Sequence, residues 1–137
     1  MTAPTPNLPL LRKAVEWAEA EAAKPLTESA WDQSVYRMSG SELDRTCGTA
    51  FCIAGYVAEI TGAQWAGAGQ SSWLVADDDD PPEHVSPMYG LVFIEHRVSR
   101  LLGVTEREGE YLFDPDRTID DLRIAAEEIA ARAGERL

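Results

Sequence analysis

Cys47 and Cys52, His84 and His96, and the run Asp77-Asp78-Asp79-Asp80 are the residues of this 137-residue chain whose types could do chemistry. Cys47 stands just before a stretch of helical pattern. Unsatisfied amides and the helix dipole favour a thiolate there, so Cys47 is a candidate nucleophile. A cysteine hydrolase also needs a base, and the chain's two histidines are His84, in a Pro/Glu-rich loop, and His96, in a helical stretch. Cys47, Cys52 and both histidines have the ligand types of a zinc site. Structural zinc pairs, however, usually sit about two to four residues apart on a turn, whereas Cys47 and Cys52 have four residues between them and Cys52 falls on an apolar helix face. No metal and no cofactor are expected. The four aspartates lack the alternate-residue spacing and turn glycine of an EF-hand loop. Adjacent carboxylates repel and Pro81-Pro82 stop regular structure, so Asp77 to Asp80 read as a mobile, fully solvated loop and as candidate contacts for a basic partner.

The two cysteines belong to one element. The segment 47–62 is the most apolar run in the chain and reads as a central helix, with Thr49 as N-cap accepting from the Cys52 amide and Gly62 at its left-handed end. Cys52, Ile53, Tyr56, Val57 and Ile60 give a broad apolar face, expected to be buried against both the first and the last helices. Ala50, Ala54, Gly55 and Ala58 are small enough for neighbours to approach closely.

The other segments supply the cover. Residues 1–6, with two prolines, read as a loose arm before a single helical domain over 7–137. Leu11, Val15, Ala18 and Ala22 recur at helical spacing from Asn7 to Lys24, with Leu8 and Trp17 beside them, until Pro25 ends the pattern. Thr27 to Met38 suits a short extended segment, and Trp73 to Ala76 a second. Ser86-Pro87 reads as the start of a third helix reaching Leu102 and ending at Gly103. Thr105 and Glu108 form a capping-box pattern for a fourth. Thr118 caps a last helix whose inward face is Leu122, Ala125, Ala126, Ile129 and Ala133. The fold class is mainly α, a compact bundle of about five helices around a central apolar helix, with one small two-stranded β element.

Composition narrows the function classes. With 24 acidic against 12 basic residues the formal charge is -12, which argues against direct binding of nucleic acid through phosphate neutralisation and against docking on anionic lipid. No apolar run approaches the roughly 18 residues of a membrane span, and Met1 to Pro6 lack the basic and apolar regions of a signal peptide. The expected location is the cytoplasm, where two cysteines are thiols rather than a disulfide. Trp17, Trp31, Trp65 and Trp73 suit core or domain-edge packing rather than a base-stacking platform in so acidic a chain. Gly67-Ala68-Gly69 lacks the lysine of a phosphate loop.

Three groups of residues, in order, carry a resemblance: Trp31-Asp32-Gln33; Cys47-Gly48-Thr49-Ala50-Phe51-Cys52-Ile53-Ala54-Gly55; and Leu101-Leu102-Gly103-Val104-Thr105 with Leu112-Phe113 and Thr118-Ile119-Asp120-Asp121-Leu122. Over about residues 31 to 122 the chain resembles a family of small proteins of actinobacteriophages and their hosts that share a Cys-Gly-Thr-x-x-Cys-x-x-Gly helix. That family usually continues with Trp or His where this chain has Tyr56. The resemblance implies a phage or prophage origin and a role in the host cytoplasm, and it carries over no catalytic residue. The expected function is a non-enzymatic binding module that engages a host or phage protein. The alternatives are an acidic nucleic-acid mimic acting on a DNA-binding protein or defence nuclease, and a hydrolase using Cys47. Cys47→Ser separates the first from the last. A binding module keeps its biological effect on the host, with stability changed by about 1 kcal/mol, whereas a nucleophile replaced by a hydroxyl loses it.

Overall fold

The computed structural model describes residues 3–25, 28–33, 35–36, 38–39, 49–67 and 72–137. Among these, helix α1 spans Leu8–Ala22, α2 Ile53–Ile60, α3 Ile94–Leu102, α4 Glu106–Phe113 and α5 Ile119–Arg132. Strands β1 (Met38–Ser39) and β2 (Thr49–Ala50) form one antiparallel pair, and β3 (Trp73–Val75) and β4 (Leu91–Phe93) a second, in register Trp73↔Phe93, Leu74↔Val92 and Val75↔Leu91. The architecture is mainly α with small β elements, as the helical periodicities predict.

The apolar helix is central but shorter than its pattern. Thr49 is not its N-cap, because 49–50 lie in β2 and the next amides are drawn across to the preceding segment. Phe51 N–H donates to Ala30 O at 2.7 Å and Cys52 N–H to Val35 O at 2.6 Å. The helix can begin only at Ile53, and Cys52 caps it, its Sγ accepting from the Gly55 amide at 3.5 Å. Cys52, Ile53 and Val57 are buried as expected. Tyr56 is half-buried, stacked on Trp17 with centroids 4.1 Å apart, and Ile60 is exposed. Gly62 does adopt the left-handed conformation, at φ 81°. Helix α2 packs on α1, α3 and α4, whereas α5 packs on α1 and α4; the central helix is therefore not chiefly covered by the last one.

Gln33 joins two helix ends. Its Nε2 donates to Leu112 O at 2.7 Å and Asp114 O at 3.2 Å, at the close of α4, while its Oε1 accepts from Ile53 N–H at 3.3 Å, at the start of α2. Orphan carbonyls and an orphan amide of two helices are thus satisfied by one buried side chain.

The expected third helix is divided. Pro87 to Tyr89 form a turn closed by Gly90 N–H donating to Ser86 O at 2.8 Å, and Gly90 has φ 63°, which stops a right-handed helix. Leu91–Phe93 then pair with β3, and only Ile94 onward is helical, to the left-handed cap Gly103 at φ 65°. Both capping boxes are present, Thr105 with Glu108 and Thr118 with Asp121. The inner face of α5 uses Ala130 rather than Ala133, which is its exposed C-cap.

The beginning of the chain is held rather than loose over residues 4–7. Arg132 donates to Pro4 O at 2.8 Å and to Gly103 O at 3.3 Å while pairing with Glu108, and Asn7 N–H donates to Leu102 O at 2.8 Å.

The tightest approach is at Gly55, where an added Cβ would lie 1.5 Å from Tyr36 O. Backbone has to move to admit it. Gly55→Ala is expected to lower unfolding free energy by about 3 kcal/mol or more, read from urea midpoints; a wild-type midpoint would mean that Tyr36 does not cross α2 there.

Candidate functional site

Asp77 to Asp80 and His84 lie on one segment, a strap over 77–84 that leaves β3, crosses α3 and returns to pair beside β4 through the Val85↔Val92 bridge. Its anchor is Asp80. Arg97 Nε donates to Asp80 Oδ1 at 2.8 Å and Arg97 Nη2 to Oδ2, with side-chain exposures of 5% and 1% for Arg97 and Asp80. Arg97 also holds Val75 O at 3.1 Å, and Arg100 reaches Asp80 Oδ1 at 3.2 Å. Asp77 closes the turn, its Oδ1 accepting from the amides of Asp79 at 2.9 Å and Asp80 at 3.0 Å. The expectation that all four aspartates are mobile and solvated is therefore wrong for Asp80. The run is an Asx-type turn wrapped on two arginines, with Asp77, Asp78 and Asp79 on its outer side.

Burial opposes ionisation of Asp80. The hydrogen bonds from Arg97, the Asp77 amide and Arg100, together with the Arg97 charge, outweigh it and hold the carboxyl well below the usual carboxylate range. Arg97 and Arg100 went unread in the sequence. Three apart, they share one helix face, but nothing local says which carboxylate that face meets.

The strap's far end carries His84, in a short 3-10 turn at Pro82–His84. Its ring stacks on His96 of α3, with centroids 4.1 Å apart and planes at 18°, and Phe93 meets His96 edge-on at 6.3 Å. Beside the pair lies a cleft of about 470 Å³ lined by Pro4, Pro81, Ser99, Arg100, Val104 and Glu106 together with the histidines. The two candidate bases are thus brought together with each other. Cys47, the candidate nucleophile, lies outside the described residues. Cys52 is a buried thiol pushed up to about 12, chiefly by burial, and serves as a helix cap. No cluster of three metal-ligating side chains occurs among the described residues.

The β3–β4 hairpin presents its other face outward. Leu74 and Val92 point into the core; on the other side Trp73 and Val75 are exposed, while Phe93 is partly buried against Tyr36 and His96. Trp73 is 45% exposed, and the turn beyond adds Met88 at 78% and Tyr89 at 72%. Ala76 N–H donates to Gly90 O at 2.9 Å, which sets the aspartate turn beside this Met-Tyr turn. Other acidic groups are used internally: Glu19 by Arg123, Glu21 by Lys24, Glu108 by Arg132 and Asp114 by Arg117.

No family model, no curated protein and no solved structure matches this chain, and the functional reading rests on its own residues.

Removing one partner of a buried ion pair is expected to cost about 3–5 kcal/mol, so Asp80→Asn should lower stability by that order, whereas Asp78→Asn should stay within about 0.5 kcal/mol. Asp80 has a folded pKa below its unfolded value of about 3.9, so its contribution is complete above that value and is lost as pH falls through the folded one. Urea midpoints across pH should show the gap between wild type and Asp80→Asn closing only below about pH 4. A gap that closes near neutrality would refute the assignment.

Proposed function

We propose that the protein is a non-enzymatic binding module of phage type that engages a basic host or phage protein in the bacterial cytoplasm, using the tip of the β3–β4 hairpin and its carboxylate border. The observation that carries this reading is the exposure of Met88 and Tyr89 on the turn before β4, with the Ala76 N–H to Gly90 O bond bringing the exposed Asp77 to Asp79 turn to the same end of the strand pair. Adjacent exposed apolar and aromatic side chains mark interaction surfaces more than scattered single ones do. Aromatic residues and methionine are the types enriched at interface centres, with charges at the rim. The carboxylates border the apolar tip rather than occupying it, so a partner with an apolar anchor and flanking Lys or Arg is the complementary one.

An acidic mimic of nucleic acid is less well supported. Such a mimic needs rows of available carboxylates, and Glu19, Glu21, Asp80, Glu108 and Asp114 are each engaged by a basic side chain of the same chain.

The test uses the full chain as bait in actinobacterial lysate, followed by binding kinetics on the recovered protein. Tyr89→Ala and Met88→Ala should each weaken affinity roughly tenfold through faster dissociation, as truncation of a hot-spot side chain does. Asp78→Ser with Asp79→Ser should mainly slow association and flatten its salt dependence. Undiminished binding by the Met88→Ala, Tyr89→Ala double variant would overturn the reading.

A further inference from the structure

We propose that the groove between α4 and α5 is the contact surface of a two-fold dimer, covered by the same groove of a second copy of this chain. The two helices pack on each other through a short connection over 114–118 and leave a hollow of about 230 Å³ between them. Ala125 and Ile129 form its floor, and Tyr111 stands at its edge. The single methyl group of Ala125 leaves the space beside the Tyr111 ring unfilled. That ring is held where it is by Arg117, whose guanidinium lies over its face at 3.6 Å from the centroid and whose Nε donates to Tyr111 O at 2.9 Å. Ile124, next to the floor, is 53% exposed, so apolar surface continues from the groove onto the outer side of α5.

The charges of the lining select the occupant. Arg107 stands on the α4 wall and Glu128 on the α5 wall; both are exposed, and neither is in an ion pair among the described residues. Glu108, the third charged residue of the lining, is taken by Arg132. One cation and one carboxylate are thus left on opposite sides of an apolar floor, with no excess of either sign, in a chain whose formal charge is -12. A basic surface laid on this groove is opposed by Arg107 and an acidic one by Glu128. A copy of the groove answers both. In an isologous contact residue i of one copy meets j of the other, and j meets i. With the two-fold axis running along the groove, α4 of each copy lies over α5 of the other. Arg107 then meets Glu128 twice, and each Tyr111 covers Ala125 and Ile124 across the axis. Self-repulsion of so acidic a chain is least where its surface is balanced, which is the condition this groove meets.

The groove shares no residue with the β3–β4 hairpin or its tip, so the dimer goes beyond the binding reading and does not depend on it. Its consequence for that reading is bivalency. Each dimer carries two hairpin tips, and on a partner with paired sites the second engagement becomes intramolecular.

Sedimentation equilibrium on the full chain, at concentrations spanning dissociation constants from about 1 μM to 1 mM, should show the mass rising from one chain to two. Arg107→Glu and Glu128→Arg each set like charges together on both sides of the axis and should weaken association roughly tenfold or more. The combined Arg107→Glu, Glu128→Arg variant restores both pairs and should dimerise nearly as the wild type does. Ile124→Asp should weaken association without disturbing the fold, because all three positions are exposed and wild-type urea midpoints are expected. A single-chain mass at every concentration overturns the dimer, as does association unchanged by either reversal or not restored in the combined variant. The Met88→Ala, Tyr89→Ala double variant should dimerise like the wild type. Loss of the dimer there would mean that copies meet through the hairpin tip and would overturn the groove, whereas partner affinity lost with the dimer intact concerns the binding reading alone.

Discussion

A charge buried without a partner is among the largest local penalties a fold can carry, and Asp80 with Arg97 is where this chain meets that constraint. Neither side chain can leave its place alone, because the other would remain enclosed and unpaired. Arg97 has two further ties, to Val75 O and toward Asp77, so one guanidinium joins the end of β3, the aspartate turn and α3. The orientation of the hairpin, the path of the strap and the placement of His84 against His96 all follow from that fixed point. Arg100 is a lesser anchor; its Nε is enclosed without a hydrogen-bond partner among the described residues.

The other half of the molecule is organised by close approach rather than charge. Gly55 lets the Tyr36 carbonyl lie against α2, and Gln33 then closes the ends of α2 and α4 with a single amide. Polar groups in such a position stabilise only when their hydrogen-bonding capacity is used, and Gln33 uses both its oxygen and its nitrogen. Burial first, and then the hydrogen bond to Glu95, raise the pKa of the Tyr36 hydroxyl well above the ordinary range, so it acts as a fixed donor. These contacts tie Gln33 to α4 and Tyr36 to α3.

The acidic balance takes on a different meaning once the pairs are placed. A formal charge of -12 suggests an even repulsive coat. In the fold, several carboxylates are neutralised between elements, Glu19 with Arg123 across α1 and α5, and Glu108 with Arg132 across α4 and α5. Excess charge is therefore uneven, and Asp77, Asp78 and Asp79 are among the carboxylates left exposed.

How much of this was legible in the chain depends on the range of the interactions concerned. Helices α1, α4 and α5 were readable from periodicity and from caps such as Thr105-Glu108, because those signals act within one turn of the chain. The left-handed ends at Gly62 and Gly103 were readable for the same reason. The shortening of the central helix was not, since it is forced by hydrogen bonds from Phe51 and Cys52 to a segment about twenty residues earlier. Nor was the conversion of 91–93 from helix to strand, which requires β3 as its partner. The histidines and aspartates could be named as candidates by residue type alone. That the histidines stack, that Asp80 alone of its run is buried, and that Arg97 is the reason, were decided by tertiary structure, because ion pairs and ring contacts depend on which helix face meets which loop, and local sequence holds no record of that meeting.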